Sequence, residues 1–176
     1  MQVFVPFQDP FECAKVLDTR RFNKQILECK QILKAIRGES TAWATHPCVL
    51  MYKNHADWLQ LYLNAFECYK AYKDLIEEDF DEAMVHFFLA SEWGEKAMSC
   101  FPSFLTDSFT SQHRRRLYTK SPHFYMMWAE LGTSNENWYY VNGEWRIYIN
   151  GRIVKVVENY ERTRIYPRLV GKRKRR

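Results

Sequence analysis

The chain has 176 residues, 47% of them hydrophobic and 16% aromatic, so a full hydrophobic core is possible and global disorder is excluded. It carries 26 Lys and Arg residues against 21 Asp and Glu residues, and the last five residues, 172–176, are all basic. The rest of the chain is therefore formally neutral, and bulk charge does not demand a nucleic-acid partner. Such a partner would have to bind local basic patches and the tail.

No stretch approaches the roughly 18 consecutive apolar residues that a membrane span needs, which argues against a membrane protein. The N-terminal sequence MQVFVPFQDP also lacks the basic region and long apolar run of a signal peptide. The five cysteines form no C-x-x-C pair, and we interpret them as reduced core thiols. A zinc site or a disulfide framework is the alternative. These features predict a cytoplasmic protein.

The beginning of the chain predicts an extended segment followed by helices. Residues 2–7 include a proline and alternate weakly, which indicates an extended conformation. Asp9 followed by Pro10 is typical of a helix start, and the first helix is expected over residues 10–17. The next helical stretch either continues it or starts a second helix, and it ends at Gly38.

Helical patterns also dominate the middle of the chain. Pro47 predicts the start of a helix in two pieces that reaches to about residue 79. Further helices are expected over residues 82–99, 108–118 and 121–131, the last with Ser121 as its cap.

The C-terminal region changes character. Two Asn-Gly pairs, at 142–143 and 150–151, are flanked by β-branched and aromatic residues. Both central positions of a tight hairpin turn need positive φ, which Asn-Gly tolerates. We therefore expect a three-stranded antiparallel meander with strands at about 138–141, 144–149 and 152–157.

Together these elements predict a mainly α fold, a single-domain helical bundle with a small C-terminal antiparallel β-meander. The helical domain is expected to cover residues 1–135, the meander 136–171 and a basic tail 172–176. The tail is expected to be disordered because it is a short, highly charged chain end.

Charged residues crowd the start of the helix predicted over residues 16–33. Arg20 and Lys24 share a face at i, i+4 spacing, where like charges repel unless an anion lies between them. Asp18 can pair with Arg21 at i, i+3 and relieve part of that repulsion. The stretch is therefore either a solvated helix face or an anion-binding site beside a carboxylate.

A second basic cluster, HRRR at residues 113–116, is followed by Lys120. Three consecutive arginines spread around most of a helix, so some of them must face solvent or a partner. Arginine suits bidentate phosphate contacts, and phosphate binding is one interpretation of the cluster. The nearby aromatic residues at 124–128 either stack on bases or belong to the core.

The sequence contains no recognised metal or nucleotide motif. H-x-x-x-H, H-E-x-x-H and Cys/His ligand spacings do not occur, and neither does a P-loop, G-x-G-x-x-G or G-x-S-x-G. Cys48, two residues after His46, is a poor candidate for a nucleophile and base pair. We expect neither a metal nor an organic cofactor.

Three stretches, LDTRRFNKQ, HPCVLMYKNHADWL and SQHRRRLYTKSPHFY, follow the short extended N-terminus in this order. In this arrangement the chain resembles the pyrimidine-dimer DNA glycosylase family of phage endonuclease V. It is especially similar to a branch of bacterial and phage proteins that begin Met-Gln-x-Phe. The resemblance covers roughly residues 1–130, and the meander and the tail have no counterpart in endonuclease V.

The resemblance implies an all-α single domain of endonuclease V type with its N-terminal segment threaded between helices. Family members cleave the glycosidic bond of a damaged pyrimidine in DNA through a Schiff base at the α-amine of the first residue. Here that amine would belong to Met1, or to Gln2 if Met1 is removed, and the long Gln2 side chain favours retention of Met1. Asp18 is the nearest acid to the position of the family's catalytic glutamate. Arg20 or Arg21 occupies that position, and both complete the expected catalytic group.

The resemblance also implies that the other basic and polar residues bind DNA, by neutralising phosphates or by orienting the substrate. The expected DNA-binding set is Lys24, Gln25, His46, His113, Arg114, Arg115, Arg116, Lys120 and Tyr125. No membrane partner is implied, and a monomer is favoured.

Two other functions remain open. The scaffold could be a non-catalytic DNA-binding module to which the basic tail adds non-specific affinity. It could also be an enzyme that modifies a nucleobase without excising it, and the mass of the product on a defined oligonucleotide would identify that activity.

Deleting residues 172–176 is expected to weaken the salt dependence of DNA binding. Each phosphate contact releases counterions, so the slope of log K against log salt should become shallower by up to about 4. Fluorescence anisotropy between about 50 and 200 mM salt measures the slope. An unchanged slope would show that the tail makes no phosphate contacts.

Overall fold

The structure, a computed structural model, describes residues 1–75 and 100–157. The predictions for residues 82–99, for 158–171 and for the basic tail fall outside the described residues. Within the described ranges the chain forms helices first and a small sheet last, which confirms the predicted mainly α fold with a C-terminal β-meander. None of the helices described there combines the length and apolar character that crossing a bilayer requires.

The helical part contains five α-helices and a 3-10 helix in the described residues. The α-helices are α1 (Pro10–Val16), α2 (Thr19–Ile36), α3 (Pro47–Tyr52), α4 (Ala56–Leu75) and α5 (Asp107–Lys120), and the 3-10 helix is Met126–Leu131. The backbone at Leu17 is extended, so α1 and α2 are separate helices. The helix predicted from Pro47 is likewise in two pieces, α3 and α4.

Short polar side chains begin the helices as the sequence predicts. Asp9 caps α1 by accepting from the N–H of Phe11 at 2.7 Å, with Pro10 at the first helical position. Asp18 caps α2 by accepting from the N–H of Arg21 at 3.1 Å. Each cap satisfies a backbone donor that has no partner inside its helix.

The helix predicted over residues 121–131 is wrong in its first half. Residues 122–125 form turns, and only Met126–Leu131 is helical, as a 3-10 helix. Ser121 is the C-cap of α5 and not the start of a new helix. Its backbone N–H bonds to the Leu117 carbonyl at 3.1 Å, so the capping pattern read from the sequence belongs to the end of the preceding helix.

The meander consists of β1 (Asn137–Val141), β2 (Glu144–Ile149) and β3 (Arg152–Val157), paired antiparallel in the order β1-β2-β3. The two Asn-Gly pairs form its turns, as predicted. Asn142 and Gly143 have φ of 54° and 84°, and the second pair, at 150–151, has φ of 50° and 77°.

The sheet packs against the helices and shares their hydrophobic core. Trp145 on β2 is 3% exposed and its ring lies 5.3 Å from that of Phe109 on α5. Val141 on β1 is 1% exposed in the same core, and β1 also contacts α3. The five cysteines are free thiols, and three of them are buried.

The N-terminal segment, residues 1–8, forms no helix and lies among α2, α4 and α5. Its backbone bonds to buried side chains instead of a neighbouring strand. Gln25 on α2 accepts from the N–H of Phe4 through Oε1 at 2.8 Å and donates from Nε2 to the Gln2 carbonyl at 3.2 Å. One amide therefore satisfies both a donor and an acceptor of the segment.

Two other helices hold the same segment. Nδ1 of His113 on α5 accepts from the N–H of Val5 at 2.6 Å, and the hydroxyl of Tyr62 on α4 donates to the Phe4 carbonyl. The threading that the family resemblance implied is thus built from side chains of helices that lie far apart in the sequence.

Substituting Gln25→Ala is expected to lower the free energy of unfolding by about 2–4 kcal/mol, because it leaves a buried N–H and a carbonyl of the segment without partners. Urea unfolding followed by circular dichroism measures the change. Gln31→Ala, on the exposed side of the same helix, is the matched control and should change stability by less than about 0.5 kcal/mol. Equal effects of the two substitutions would contradict the role of Gln25.

Candidate active site

A cleft of about 430 Å³ lies where the N-terminal segment meets α2, α5 and the sheet. Helix α2 contributes Lys24 and Glu28 to its lining, and α5 contributes Arg116 and Lys120. The two side chains from each helix are four residues apart, about one turn, so each pair lies on one face of its helix. The cleft therefore receives three cationic side chains and one carboxylate from helices.

The opposite side of the cleft is uncharged. The sheet contributes Asn137, Tyr139 and Tyr148, and the turn between β2 and β3 brings Gly151 to the edge. His46, just before α3, also lines the cleft, and its ring meets that of Tyr139 edge to face at 5.9 Å.

The first two residues of the chain line the same cleft. The backbone N–H of Gln2 donates to Oε2 of Glu28 at 3.2 Å, and the Tyr139 hydroxyl donates to the Met1 carbonyl at 3.2 Å. The Glu28 side chain is only 8% exposed, and Lys24 Nζ lies 3.7 Å from its Oε1. The start of the chain is thus held against a buried carboxylate by groups from α2 and from the sheet.

Positive charge is in excess in the cleft. The pKa of Lys120 is lowered by burial and then by the neighbouring charges of Arg116, Arg21 and Lys24, which Glu28 only partly offsets. Within the part of the chain that the structure describes, Nε of Arg116 is buried and has no hydrogen-bond partner. An anion between these side chains would relieve the repulsion and supply the missing acceptor.

His46 is neutral at physiological pH. Burial lowers the pKa of its imidazole, and the positive charge of the α-amine lowers it further. Its Nδ1 accepts from the N–H of Cys48 at 3.1 Å and caps α3, so the neutral ring carries its proton on Nε2. The imidazole can therefore act as a hydrogen-bond donor in the cleft.

Asp18 and Arg21 lie outside the cleft lining. Both the Arg21 guanidinium and the Tyr125 hydroxyl donate to Oδ2 of Asp18 at 2.5 Å. Burial alone would raise the pKa of Asp18, but these hydrogen bonds outweigh it and lower the pKa below its usual value. These hydrogen bonds join the start of α2 to the turn after α5. The Asp18 carboxylate is therefore held by Arg21 and by Tyr125 in a structural role.

The other residues predicted to bind DNA are divided between the segment and the surface. Gln25 and His113 are buried against the N-terminal segment, and Arg114 Nε donates to the carbonyl of Pro6 at 2.9 Å. Arg115 donates to the Thr133 carbonyl at 2.9 Å.

The four residues just described position the chain through these contacts and do not line the cleft. Arg20 is exposed on α2. The predicted residues that the structure brings together in the cleft are Met1, Gln2, Lys24, His46, Arg116 and Lys120.

Glu28 is the charged residue of the cleft lining that the sequence interpretation missed. It lies on the buried side of α2, between Gln25 and Ile32 at helical spacing, where an apolar residue is expected. The sequence did contain a signal that could have identified Glu28, namely a carboxylate on an otherwise apolar helix face. A buried charge needs a partner or a function.

Among the described residues, neither the Cys48 thiol nor a metal cluster offers an alternative to this arrangement. Burial raises the pKa of the Cys48 thiol to about 12, so it is protonated at neutral pH. Within residues 1–75 and 100–157, His, Cys, Asp and Glu side chains form no group of three that could hold a metal ion.

Residues 1–67 match the family model described as pyrimidine dimer DNA glycosylase. Over these residues, the first part of the chain, the sequence is similar to that family. The match confirms the resemblance drawn from the sequence, and it supports a glycosylase-like function on DNA. It covers the N-terminal segment, Lys24, Glu28 and His46, whereas α5 and the sheet lie beyond it. No curated protein and no solved structure gives a significant match.

The stability of this protein is expected to fall on acidification because of His113. Burial, with the charge of Arg116, lowers the pKa of His113 to about 3, against about 6.5 in an unfolded chain. Between these values the unfolded state binds the proton and the folded state does not. Stability should therefore decrease by up to about 1.4 kcal/mol per pH unit as the pH falls below 6.5.

Urea unfolding between about pH 7 and pH 4 measures this slope. His46 and His55, whose pKa values burial also lowers, contribute in the same direction, so the comparison with His113→Gln isolates His113. That variant keeps an acceptor for the Val5 N–H and should have a shallower slope, whereas His123→Ala, in an exposed turn, should keep the slope of the wild type. Equal slopes in all three proteins would contradict a buried neutral His113.

Proposed function

We propose that this protein is a DNA glycosylase and abasic-site lyase that acts on a damaged or unusual pyrimidine through a Schiff base at its first amine. The family match supports a glycosylase-like function on DNA. The observation that carries the chemistry is the 3.2 Å contact between the Gln2 backbone nitrogen and the Glu28 carboxylate, inside a cleft with three cations.

The nucleophile is the amine of whichever residue begins the mature protein. If Met1 is retained, its α-amine belongs to a residue that lines the cleft and whose carbonyl is held by Tyr139. If Met1 is removed, the nitrogen that contacts Glu28 becomes the amine itself. An α-amine is ordinarily neutral in part at pH 7, unlike lysine, and the neutral form is the nucleophile.

Glu28 is the acid and base of this proposal, in place of Asp18. The amine bonds to C1′ of the nucleotide and the C1′–base bond breaks, so protons must leave the nitrogen and reach the departing base and the sugar oxygen. The C1′–O4′ bond of the sugar then breaks to give the imine, which accepts the electron pair of the C2′–H bond when C2′ loses a proton. The enamine so formed expels the 3′ phosphate, which leaves with the electron pair of its bond to C3′. The Glu28 carboxylate accepts a hydrogen bond from the Gln2 nitrogen, which is the amine if Met1 is removed and belongs to the next residue if Met1 is retained, so it can carry such protons. The Asp18 carboxylate is instead engaged by Arg21 and Tyr125.

The cations of the cleft bind the phosphates that flank the reacting nucleotide. Lys24 approaches from α2, and Arg116 and Lys120 approach from α5. A cleft of about 430 Å³ has the size of a small-molecule pocket and takes a nucleotide, not a segment of duplex. The reacting nucleotide must therefore leave the base stack, which costs least at a damaged site.

Borohydride trapping on a duplex that contains one abasic site tests the proposal. The wild type should form a covalent adduct, and peptide mass spectrometry should place it on Met1 or Gln2. Glu28→Gln should reduce the lyase rate by about 100-fold or more, the range of general acid–base catalysis. Glu67→Gln is the matched control, because Glu67 forms an exposed ion pair with Lys30 at 2.6 Å and should leave the rate within about twofold.

Each result has a separate meaning. The absence of any adduct in the wild type removes the Schiff-base mechanism, and DNA binding without cleavage would then favour the non-catalytic module. An adduct that forms at the same rate in Glu28→Gln and in the wild type removes only the role of Glu28.

A further inference from the structure

The sheet contributes to the cleft although it lies beyond the part of the chain that matches the family model. Its lining residues, Asn137, Tyr139 and Tyr148, are uncharged, whereas α2 and α5 supply every charged side chain of the lining. A nucleotide has the same division, because its phosphates are anionic and its base is flat and uncharged. The two sides of the cleft therefore suit the two ends of one nucleotide.

The sheet side begins at the residue that carries the amine. The Tyr139 hydroxyl contacts the Met1 carbonyl at 3.2 Å, and the ring of Tyr148 meets that of Tyr139 edge to face at 5.4 Å. Asn137 is the cross-strand partner of Tyr148, so the two side chains leave the same face of the sheet. These contacts place Tyr148 and Asn137 next to the aromatic ring that holds the start of the chain.

The position of the base follows from the reaction. The amine attacks C1′, and the base is bonded directly to that carbon. Wherever the amine reaches C1′, the base must therefore lie within a few ångströms of Met1 and of the side chains beside it. Because Tyr139 touches Met1, the neighbouring part of the sheet is within reach of the base.

Two groups on this face have unused bonding capacity. Tyr148 and Asn137 are half-buried. Among the described residues, neither the Tyr148 hydroxyl nor the side-chain amide of Asn137 makes a hydrogen bond. An amide can donate to and accept from the edge of a pyrimidine, and an aromatic ring can stack on it. The Tyr139 contact restricts the orientation of the Tyr148 ring.

We propose that Tyr148 and Asn137 are the base-recognition residues of this protein, with Tyr148 stacking on the pyrimidine of the lesion and Asn137 hydrogen-bonding its edge. The inference rests on the proposed glycosylase function and deepens it. It assigns the sheet, which lies beyond the residues that match the family model, to substrate selection.

A comparison of two substrates tests this assignment, because an abasic site has no base to recognise. One duplex carries a single cyclobutane thymine dimer and the other a single abasic site. Tyr148→Ala should lower kcat/KM for excision by about 5- to 100-fold, the range for loss of one base–aromatic stack, and leave abasic cleavage within about twofold. Asn137→Ala should act in the same direction, and Tyr148→Phe should retain most of the excision activity.

Val156→Ala is the matched control, since Val156 lies on the edge strand β3, pairs with Arg146 and not with Tyr148, is 51% exposed and does not line the cleft. It should change neither reaction. Unchanged abasic cleavage also shows that a variant is folded.

Parallel loss of both reactions in Tyr148→Ala, or loss of neither, would overturn base recognition by the sheet. A wild type that cleaves the abasic duplex but excises nothing from the dimer duplex would also overturn it. If the wild type gives no adduct with abasic DNA, the proposed function itself fails, and this inference fails with it.

Discussion

The whole arrangement depends on how an extended peptide is hydrogen-bonded inside a helical protein. Buried backbone N–H and carbonyl groups need partners, and the N-terminal segment pairs with side chains rather than with a neighbouring strand. Gln25 serves two of these groups, His113 accepts from Val5, and Tyr62 donates to Phe4. Because these three partners belong to three different helices, the segment can occupy this position only when α2, α4 and α5 are packed together. The location of the first amine is therefore a property of the folded core.

The interior around the N-terminal segment and the cleft contain side chains of different charge. The three groups that hold the middle of the segment are neutral: an amide, a phenol and an imidazole whose pKa is lowered to about 3 by burial. The charged groups that contact the segment, Glu28 and Arg114, bond to Gln2 and Pro6 on either side. The charges of the site collect at the end of the segment, where Lys120 and Arg116 are partly buried and repel each other. A neutral interior can fix the peptide without strong fields, while an unbalanced cationic cleft favours an anion. Glu28 places one proton-carrying group within that positive environment.

The cleft is formed partly by residues that match the family model and partly by residues that lie beyond the match. Residues 1–67 carry the family match and supply the amine, Glu28 and Lys24. Helix α5 and the sheet follow in the sequence, yet α5 contributes cations and the sheet contributes Tyr139, which touches Met1. Loss of the sheet would therefore open one side of the proposed active site as well as the core around Trp145. The meander therefore contributes both to the core and to the lining of the cleft.

The sequence by itself determined the local elements and the similarity of residues 1–67 to the family model. Asp9-Pro10 and the two Asn-Gly pairs act through their own backbone geometry, so the first helix and both hairpins are where the pattern predicts. The turn at 122–125 shows the limit of such local patterns. The Ser-Pro pair at residues 121–122 is typical of a helix start, but it follows the end of α5. Only the tertiary structure decided between the two carboxylates of α2. The Tyr125 hydroxyl, 107 residues from Asp18, donates to the Asp18 carboxylate, while the backbone N–H of Gln2, 26 residues from Glu28, donates to the Glu28 carboxylate at the start of the chain. Such contacts depend on packing between distant parts of the chain, and spacing along one helix carries no record of them.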